Sequence, residues 1–599
     1  MRKPVFSVPL IVLLSFCPWG CDGEYSKTDT DADASGPDAL PDRMDTMADP
    51  DAYADADGAG EIELVPDAAG DEADDMTVED ATPGEPDMDM PSDPDEEEAG
   101  PDPLPYPVRS DYRIKAIQPD TWPDMDEIAG NNTGGVAMNL VWAGWEPSVK
   151  TPPCDAESEE EYDGRCFRIN ANVDSAIRGW TERDVVVTAI VYGAPEWARV
   201  ENTNCSPIAP GFEIFCAPDD SADYGRFAGM LARRYDGRRG NGRIADFVIH
   251  NEVNSNDWFD TGCGDGTPCN RDAWIRNYAD NYIAAYDAVK AEQATAKVLA
   301  PFTHHFDTDY DRPSDDHPVL SVKTFVTGLD ARLGSREWQI AYHPYAPNLF
   351  SPEFSVFDLP QCTYGNIGVI VGWLIAAFPS KPHAWEVHLT ESGINSSSPQ
   401  SSVDRQAAAV CDTLRNVLGT PYIANYIYHR MKDHPDEGGL QLGLALSDGT
   451  FKPAWPVWAL ANRIDLEEPL LDCGFEDLPY TRLRRGHDGA GHHWVSSRRL
   501  PAGYGEESMT GWLLLRNEEP GTTLLFECAV GEHNMLSFDP NCEGQQTMGP
   551  VGWIWDESAS GRVALHRCVI GGGRDHFVST DPGCEGQTFE MLLGYALDD

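Results

Sequence analysis

Apolar and polar positions alternate in a regular way between residues 104 and 466 of this chain. Short apolar runs, typical of buried strands, are separated by longer stretches typical of amphipathic helices. The predicted strands are Val136–Val141, Val185–Val191, Ile244–His250, Lys297–Phe302, Trp338–His343, Trp385–Thr390 and Ile423–Tyr428, with Phe167–Asn170 as a weaker one. The predicted helices are Asp219–Tyr235, Asp272–Glu292, Leu320–Leu333, Ile367–Phe378, Val403–Leu418 and Ala454–Asn462.

Strands that alternate with helices over about 360 residues predict an α/β fold, a (β/α)8 TIM barrel spanning residues 104–466. A doubly wound open sheet is the alternative, but no Gly-rich phosphate loop follows the first strand. With Phe167–Asn170 counted as the second strand, Ile244–His250 is the fourth and Trp385–Thr390 the seventh.

Residues 470–599 have a different pattern, rich in strand and turn residues and repeated three times. The units close on Gly511-Trp512, Gly552-Trp553 and Gly594-Tyr595, at intervals of 41 and 42 residues. This period predicts an all-β, β-trefoil-like domain. The first unit lacks both repeat cysteines, as expected if the two bond each other. The units resemble His-Phe-containing repeat modules appended to secreted bacterial proteins.

The N-terminus carries export features. Arg2 and Lys3 precede a short apolar run, Val5–Phe16, that is too short for a typical membrane span. Cys21 directly follows a small residue, which resembles a bacterial lipoprotein signal. Residues 1–20 are therefore predicted to be a lipoprotein signal peptide, with Cys21 lipidated. An ordinary signal peptide is the alternative, and Cys17 is a weaker lipidation site.

Residues 21–103 form an acidic segment rich in Asp, Ala and Pro, with 30 acidic side chains against Lys27 and Arg43. Such a segment buries too little apolar surface to offset its ordering entropy, so it is predicted to be a disordered linker. Outside this segment the chain still carries more acidic than basic side chains, which argues against a nucleic-acid partner. The expected localisation is the bacterial cell envelope, with membrane contact only through the lipid anchor.

The 15 cysteines agree with export. Because several lie close together in loops, we predict disulfides within five pairs: Cys154 with Cys166, Cys205 with Cys216, Cys263 with Cys269, Cys528 with Cys542, and Cys568 with Cys584. Zinc is the rival interpretation, but no CxxC occurs. Cys362 is expected to pair with Cys411, which leaves Cys473 as the odd one.

Two glutamates end predicted barrel strands. Glu252, in His250-Asn251-Glu252, follows the fourth strand, and Glu391, in Thr390-Glu391-Ser392-Gly393, follows the seventh. Chemistry in (β/α)8 enzymes lies at the carboxyl ends of strands, so the fold is expected to bring the two together. Two carboxyls suit glycoside hydrolysis because one donates a proton to the leaving oxygen and the other stabilises the oxocarbenium-like centre.

These motifs resemble the superfamily of retaining (β/α)8 glycoside hydrolases. The longer His-Asn-Glu-Val-Asn and Thr-Glu-Ser-Gly segments look closest to an exported bacterial barrel family of unassigned activity. The resemblance implies that Glu252 is the general acid/base, Glu391 the nucleophile and Asn251 the donor to the sugar 2-hydroxyl. His250 stands where many members have an apolar residue, which leaves the substrate open.

Other strand ends carry groups suited to sugars. The predicted substrate-binding residues, besides Asn251, are His250, His343, Tyr345, Trp142, Trp145 and Trp197. For Trp142 and Trp197, burial in the hydrophobic core is an equal alternative to sugar binding. No cofactor and no metal are expected, and we expect a monomer acting on a carbohydrate.

Two other functions compete with a glycosidase. One is a non-catalytic glycan-binding or adhesion protein that keeps the cleft without turnover. The other is a metal-dependent barrel hydrolase using His304, His343 or His388, although neither a first-strand His-x-His nor a His-Glu-x-x-His occurs.

Overall fold

The computed structural model describes residues 102–109, 113–264, 266–315, 317–435, 437–461, 473–507, 511–573 and 575–598. The predictions on the signal peptide, on Cys21 and on the linker as far as residue 101 lie outside the described residues. Among the described helices, none has both the length and the apolar character needed to cross a membrane.

Eight parallel strands close into a barrel, which confirms the predicted fold class of the larger domain. They are β1 (Lys115–Ile117), β2 (Gly135–Val141), β3 (Val186–Tyr192), β4 (Ile244–Ile249), β5 (Lys297–Phe302), β6 (Gln339–Tyr342), β7 (Val387–Leu389) and β8 (Ile423–Tyr428). Every residue of β3 and β4 is buried, as expected for parallel strands covered on both faces.

Helices connect the strands and cover the barrel. They are α1 (Met125–Ala129), α2 (Trp142–Trp145), α3 (Ala171–Glu182), α4 (Ser221–Arg234), α5 (Arg271–Glu292), α6 (Val322–Leu333), α7 (Gly368–Ala377), α8 (Val403–Leu418) and α9 (Ala454–Leu460). Side chains of Asp220, Asn270, Ser321 and Ser402 accept backbone hydrogen bonds at the N-termini of α4, α5, α6 and α8.

The predicted second strand is wrong, although the numbering of the fourth and seventh strands is right. Arg165–Arg168 pairs with Glu159–Tyr162 in a separate two-stranded hairpin outside the barrel. The first barrel strand is β1, which the sequence pattern missed because it is three residues long and begins with Lys115. That lysine is fully buried, and its Nζ donates to the carbonyls of Trp458 and Ala459, each at 2.7 Å.

The C-terminal domain is an antiparallel, nearly closed sheet. Its main strands are β9 (Tyr480–His487), β10 (His493–Ser496), β11 (Trp512–Leu515), β12 (Thr522–Val530), β13 (His533–Ser537), β14 (Gln546–Trp555), β15 (Arg562–Ile570), β16 (Asp575–Ser579) and β17 (Thr588–Asp598). Its core takes equivalent apolar residues from three successive segments, such as Leu483, Leu525 and Leu565.

Equivalent positions in the three hairpins of this domain differ in chemistry. Gly486 faces Trp494 across the first hairpin, just as Cys528 faces Met535 and Cys568 faces Phe577 in the others. A Cβ atom at Gly486 would lie only 2.4 Å from Cδ1 of Leu500. The first segment therefore packs a leucine against a glycine where the other two have a disulfide.

Ion pairs link the three segments in the same way, with one reversal. Arg567 pairs with Glu543 at 2.7 Å, and Arg485 pairs with Glu585 at 2.8 Å. The equivalent strand position in the second segment is Glu527, which pairs with Arg498 of the first segment at 2.6 Å. The arginine and the carboxylate have exchanged places at this junction, so the link is preserved.

All five predicted disulfide pairs are present. The sixth disulfide corrects the prediction for the remaining cysteines: Cys411 bonds Cys473, and Cys362 is a buried free thiol. Cys411 lies on α8, and Cys473 lies just before the first strand of the C-terminal domain. The bond therefore ties the last large barrel helix to that domain, a proximity that sequence distance does not reveal.

Candidate active site

The turn after β4 places Glu252 in the mouth of the barrel. His250 and Glu252 adopt positive φ angles of 65° and 38°, a region that costs energy for residues other than glycine and that is concentrated at functional sites. Asn254 holds this turn by donating to Oγ1 of Thr303 at 3.0 Å and to the carbonyl of Leu320 at 2.8 Å. The loops that follow β4 and β5 are thereby joined.

Glu391 follows β7 and is fixed by close contact with the end of β8. The backbone nitrogen of His429 donates to the carbonyl of Ser392 at 3.0 Å. A Cβ atom at Gly393 would lie 1.8 Å from the carbonyl oxygen of His429, so only glycine fits. Gly393 therefore allows close packing against the neighbouring backbone.

The two glutamates meet in the folded barrel, as the strand numbering required. Glu252, His343 and Glu391 each present one oxygen or nitrogen atom such that all three atoms lie within 4.8 Å of one another. Nδ1 of His343 lies 2.9 Å from Oε1 of Glu252, and its Nε2 lies 3.1 Å from Oγ1 of Thr390. The hydroxyl of Tyr345 donates to Oε1 of Glu391 at 3.0 Å. Each carboxyl thus has its own orienting partner.

Burial changes the proton affinity of these groups. It raises the pKa of Glu252, the charge of Glu391 adds to the rise, and His343 partly opposes it. Burial alone would lower the pKa of His343, but the charge of Glu391 and the hydrogen bond with Glu252 outweigh it, so that pKa is raised. Burial and the charge of Glu391 raise the pKa of Tyr345, which keeps its phenol proton for donation. Glu252 therefore keeps its proton at a pH where an exposed carboxyl is ionised.

The sequence itself places this barrel in a family. A family of unknown function (DUF5722) matches residues 108–468. The chain belongs to this family. The match spans the whole barrel and ends before the C-terminal domain. No curated protein matches the sequence.

Solved structures with some likeness to this DUF5722 protein include glycoside hydrolases. A family 39 enzyme from Bacteroides cellulosilyticus WH2 has 13% identity over 82% of each chain, with a TM-score of 0.42. The GH39 enzyme from Xanthomonas axonopodis pv. citri has 16% identity over 60% of this chain and 67% of its own, with a TM-score of 0.40. A GH5_18 enzyme from Streptomyces cattleya has 16% identity over 59% of this chain and 81% of its own, with a TM-score of 0.35. Likeness this low does not assign a reaction to the chain.

A second polar cluster at the barrel mouth was missed in the sequence. His429, at the end of β8, places Nδ1 2.7 Å from Oε1 of Gln118 and Nε2 3.1 Å from Oε1 of Glu437. Arg430 pairs with the same Glu437 oxygen at 2.8 Å and also with Asp120. The charge of Glu437 also helps to raise the pKa of Tyr345, so the two clusters interact electrostatically. The rule that strand ends carry chemistry would have found His429, but not its partners from other loops.

The His250 side chain is buried among aromatic residues. Its ring stacks on Tyr224 with centroids 4.1 Å apart and makes edge contacts with Phe259 and Tyr278. Burial lowers its pKa to about 3, so the ring is neutral. The position gives His250 packing contacts with α4 and α5, and its substrate contact stays a prediction.

The predicted tryptophans form a separate aromatic cluster. Trp142 is fully buried, donates to Glu146 at 2.9 Å and packs against Phe227 of α4, as does the buried Trp145. Trp197 contacts Trp142 edge-on and donates to the carbonyl of Glu146 at 2.8 Å. Trp142 and Trp145 follow the second barrel strand and both are buried, which for Trp142 corresponds to the core alternative.

Asn251 lies beside Glu252 and is 9% exposed, while its Oδ1 has no hydrogen-bond partner among the described residues.

Metal ligation has one geometric candidate here, the group of Glu252, His343 and Glu391. Both nitrogens of His343 already take part in hydrogen bonds with Glu252 and Thr390, so a metal would have to break one of them. His388, considered as a ligand from the sequence, instead places Nε2 2.9 Å from Glu386. His304 is buried, and burial is the main reason why its pKa lies well below that of an ordinary histidine. These hydrogen bonds favour two carboxyl groups oriented by their neighbours over a metal site.

Proposed function

We propose that this protein is a retaining glycoside hydrolase that cleaves O-glycosidic bonds of an oligo- or polysaccharide. The observation that carries the proposal is the approach of a Glu252 oxygen to a Glu391 oxygen within 4.8 Å. Retaining enzymes hold their carboxyls about 5–5.5 Å apart, whereas inverting enzymes need about 6.5–9.5 Å to admit a water molecule. The separation supports direct attack by one carboxylate on the sugar.

The reaction proceeds in two displacements. Glu391 attacks the anomeric carbon as its bond to the leaving oxygen breaks, and Glu252 gives its proton to that oxygen. The product is a glycosyl ester of Glu391. Glu252, now ionised, then takes a proton from water, whose oxygen displaces Glu391 and restores both side chains.

Neighbouring side chains fit these roles. Tyr345 donates to Glu391 and so fixes the direction of attack, while His343 fixes the direction of Glu252. The raised pKa of Glu252 keeps the proton that the first step consumes. Asn251 is proposed to donate to the 2-hydroxyl of the sugar.

The C-terminal domain and the N-terminus also receive roles in this proposal. We propose that residues 470–599 form a β-trefoil that serves as an accessory glycan-binding module. Six disulfides support a periplasmic or extracellular location, where the barrel would be held by a lipid at Cys21. A glycan-binding protein without turnover is the second candidate, supported by the same barrel and C-terminal domain.

The stereochemistry of the first product tests the proposal. Purified protein is screened on a panel of aryl glycosides and oligosaccharides, and the released sugar is followed by proton NMR before it mutarotates. The expected anomer has the configuration of the substrate. Inversion would disprove the double displacement, and loss of activity on chelation that returns with a divalent metal would favour a metal hydrolase. Sugar binding without turnover across the panel would favour the second candidate.

A further inference from the structure

A cavity of about 280 Å³ lies between α8 and the first hairpin of the C-terminal domain. Its lining shares no residue with the glutamate site and is unusually basic for a chain with a net charge of −58. The polar and charged residues that line it are Arg415, Arg484, Arg498, Arg499, Tyr504 and Glu506.

Two of the arginines are anchored from behind the cavity wall. Arg498 is 2% exposed and pairs with Glu527 at 2.6 Å, and Arg499 pairs with Asp412. Neither Glu527 nor Asp412 lines the cavity. These carboxylates fix the guanidinium groups without occupying the space in front of them.

Among the described residues, the Arg484 side chain has no polar contact shorter than 3.3 Å. It is 8% exposed, yet its contacts are long: 3.3 Å to Glu506, 3.5 Å to Asp477 and 3.5 Å to the carbonyl of Arg482. The other oxygen of Asp477 is taken by Arg482 at 2.7 Å. A guanidinium has five N–H donors, and leaving them without short acceptors in a buried site is costly. Because Arg484 lines the cavity, a group bound there has access to its guanidinium.

We propose that this cavity binds an oxyanion, the sulfate, phosphate or carboxylate group of a sugar or of a free ion. Arginine suits this task because its planar fork presents two parallel donors to such a group. The ring of Tyr504 adds an aromatic face of the kind that packs against sugar rings. The cavity lining includes neither glutamate of the barrel, so the proposal holds whether or not the barrel hydrolyses glycosides.

Calorimetric titration of the full chain tests the site directly. At constant ionic strength the protein is titrated with inorganic phosphate, glucose 6-sulfate and glucose. Saturable binding is expected for one or both anions and not for glucose. Arg484→Met should weaken anion binding by about tenfold or more, because a hydrogen bond to a charged group is lost. The matched control is Arg405→Met, an exposed arginine on α8 that pairs with Glu353 outside the cavity.

The outcomes separate the sources of the anion. Tighter binding of glucose 6-sulfate than of phosphate identifies an anionic sugar, and equal binding identifies the free oxyanion. No saturable binding to the native chain, or equal affinity in the Arg484→Met and Arg405→Met variants, overturns the proposal. If Arg484→Met does not fold, Arg499→Gln replaces it, since 53% of that side chain is exposed and it tolerates change.

Discussion

His343 joins Glu252 to Thr390 through the two nitrogens of one imidazole ring, at 2.9 Å and 3.1 Å. Because these three residues follow β6, β4 and β7, a single buried side chain fixes three strand ends relative to one another. The orientation of Glu252 therefore depends on His343, and so does its proton affinity. The hydrogen bond and charge of His343 lower the pKa of Glu252 against the larger effect of burial.

The pH dependence of hydrolysis should report this link. As the proton donor, Glu252 must be protonated, so kcat/KM is expected to fall as pH rises through its raised pKa. His343→Gln removes the charge and the hydrogen bond of the imidazole, which favour the ionised form of Glu252. The pKa of Glu252 should therefore rise further. The alkaline limb of the kcat/KM profile should then move to higher pH, together with a loss of rate from misorientation.

His492→Gln is the matched control for this profile, because His492 is a half-exposed histidine of the C-terminal domain that pairs with Asp488. Its profile should coincide with that of the native protein. A limb that stays in place in His343→Gln, or that moves to lower pH, would contradict the role given to His343.

Chemical rescue should distinguish the two glutamates. Glu252→Ala is expected to lose about 10²- to 10⁴-fold in rate on substrates with poor leaving groups, because protonation is lost. Added azide should restore turnover and give a glycosyl azide of retained configuration. In Glu391→Ala the azide takes the place of the nucleophile, so the product should have inverted configuration. Product configuration by NMR is the measurement.

Glu353→Gln serves as the carboxyl control for rescue, since the Glu353 side chain is 78% exposed and pairs only with Arg405 at the surface. It should keep native rates and show no response to azide. The same azide product from both alanine variants would show that the two roles are not distinct.

The barrel strands with apolar runs could be predicted from the sequence, whereas a short strand that contains a charged residue could not. Strands β2 to β8 are marked by apolar residues that only a buried strand needs, and both glutamates follow from their ends. Hydrophobic patterning does not detect strand β1, because this strand contains Lys115, a charged residue that is buried against backbone carbonyls. A buried lysine of this kind is specified by tertiary contacts that no local pattern contains.

Site residues were predictable where strand position determines them and not where loops meet. Tyr345 and His343 lie directly after β6, so their approach to the glutamates could be expected. Gln118 and Glu437 reach His429 from two separate loops, and sequence spacing gives no indication of that meeting. Trp142 remained ambiguous in the sequence, because an aromatic residue at a strand end fits both the cleft and the core.

The disulfide between Cys411 and Cys473 should stabilise the chain strongly. It closes a loop of 62 residues, for which chain entropy gives about 4 kcal/mol. Chemical denaturation of the Cys411→Ala, Cys473→Ala double variant should show a fall in the free energy of unfolding of about that size. Cys362→Ala removes a buried free thiol and should cost only about 1 kcal/mol. Equal losses in the two variants would argue against the cross-link.

The contact between Gly486 and Leu500 predicts that a third repeat disulfide can be restored. Gly486 occupies the hairpin position of Cys528 and Cys568, and Leu500 fills the space where a Cβ would otherwise fit. Gly486→Cys alone should destabilise the domain, because its Cβ would lie 2.4 Å from the leucine. In the Gly486→Cys, Leu500→Cys double variant the clash is removed, and the two new thiols should form a disulfide. Mass spectrometry of the unreduced double variant should show a loss of two hydrogens relative to its reduced form at this pair, and its melting temperature should exceed that of Gly486→Cys. Two free thiols after oxidation would show that the first segment is not built like the others.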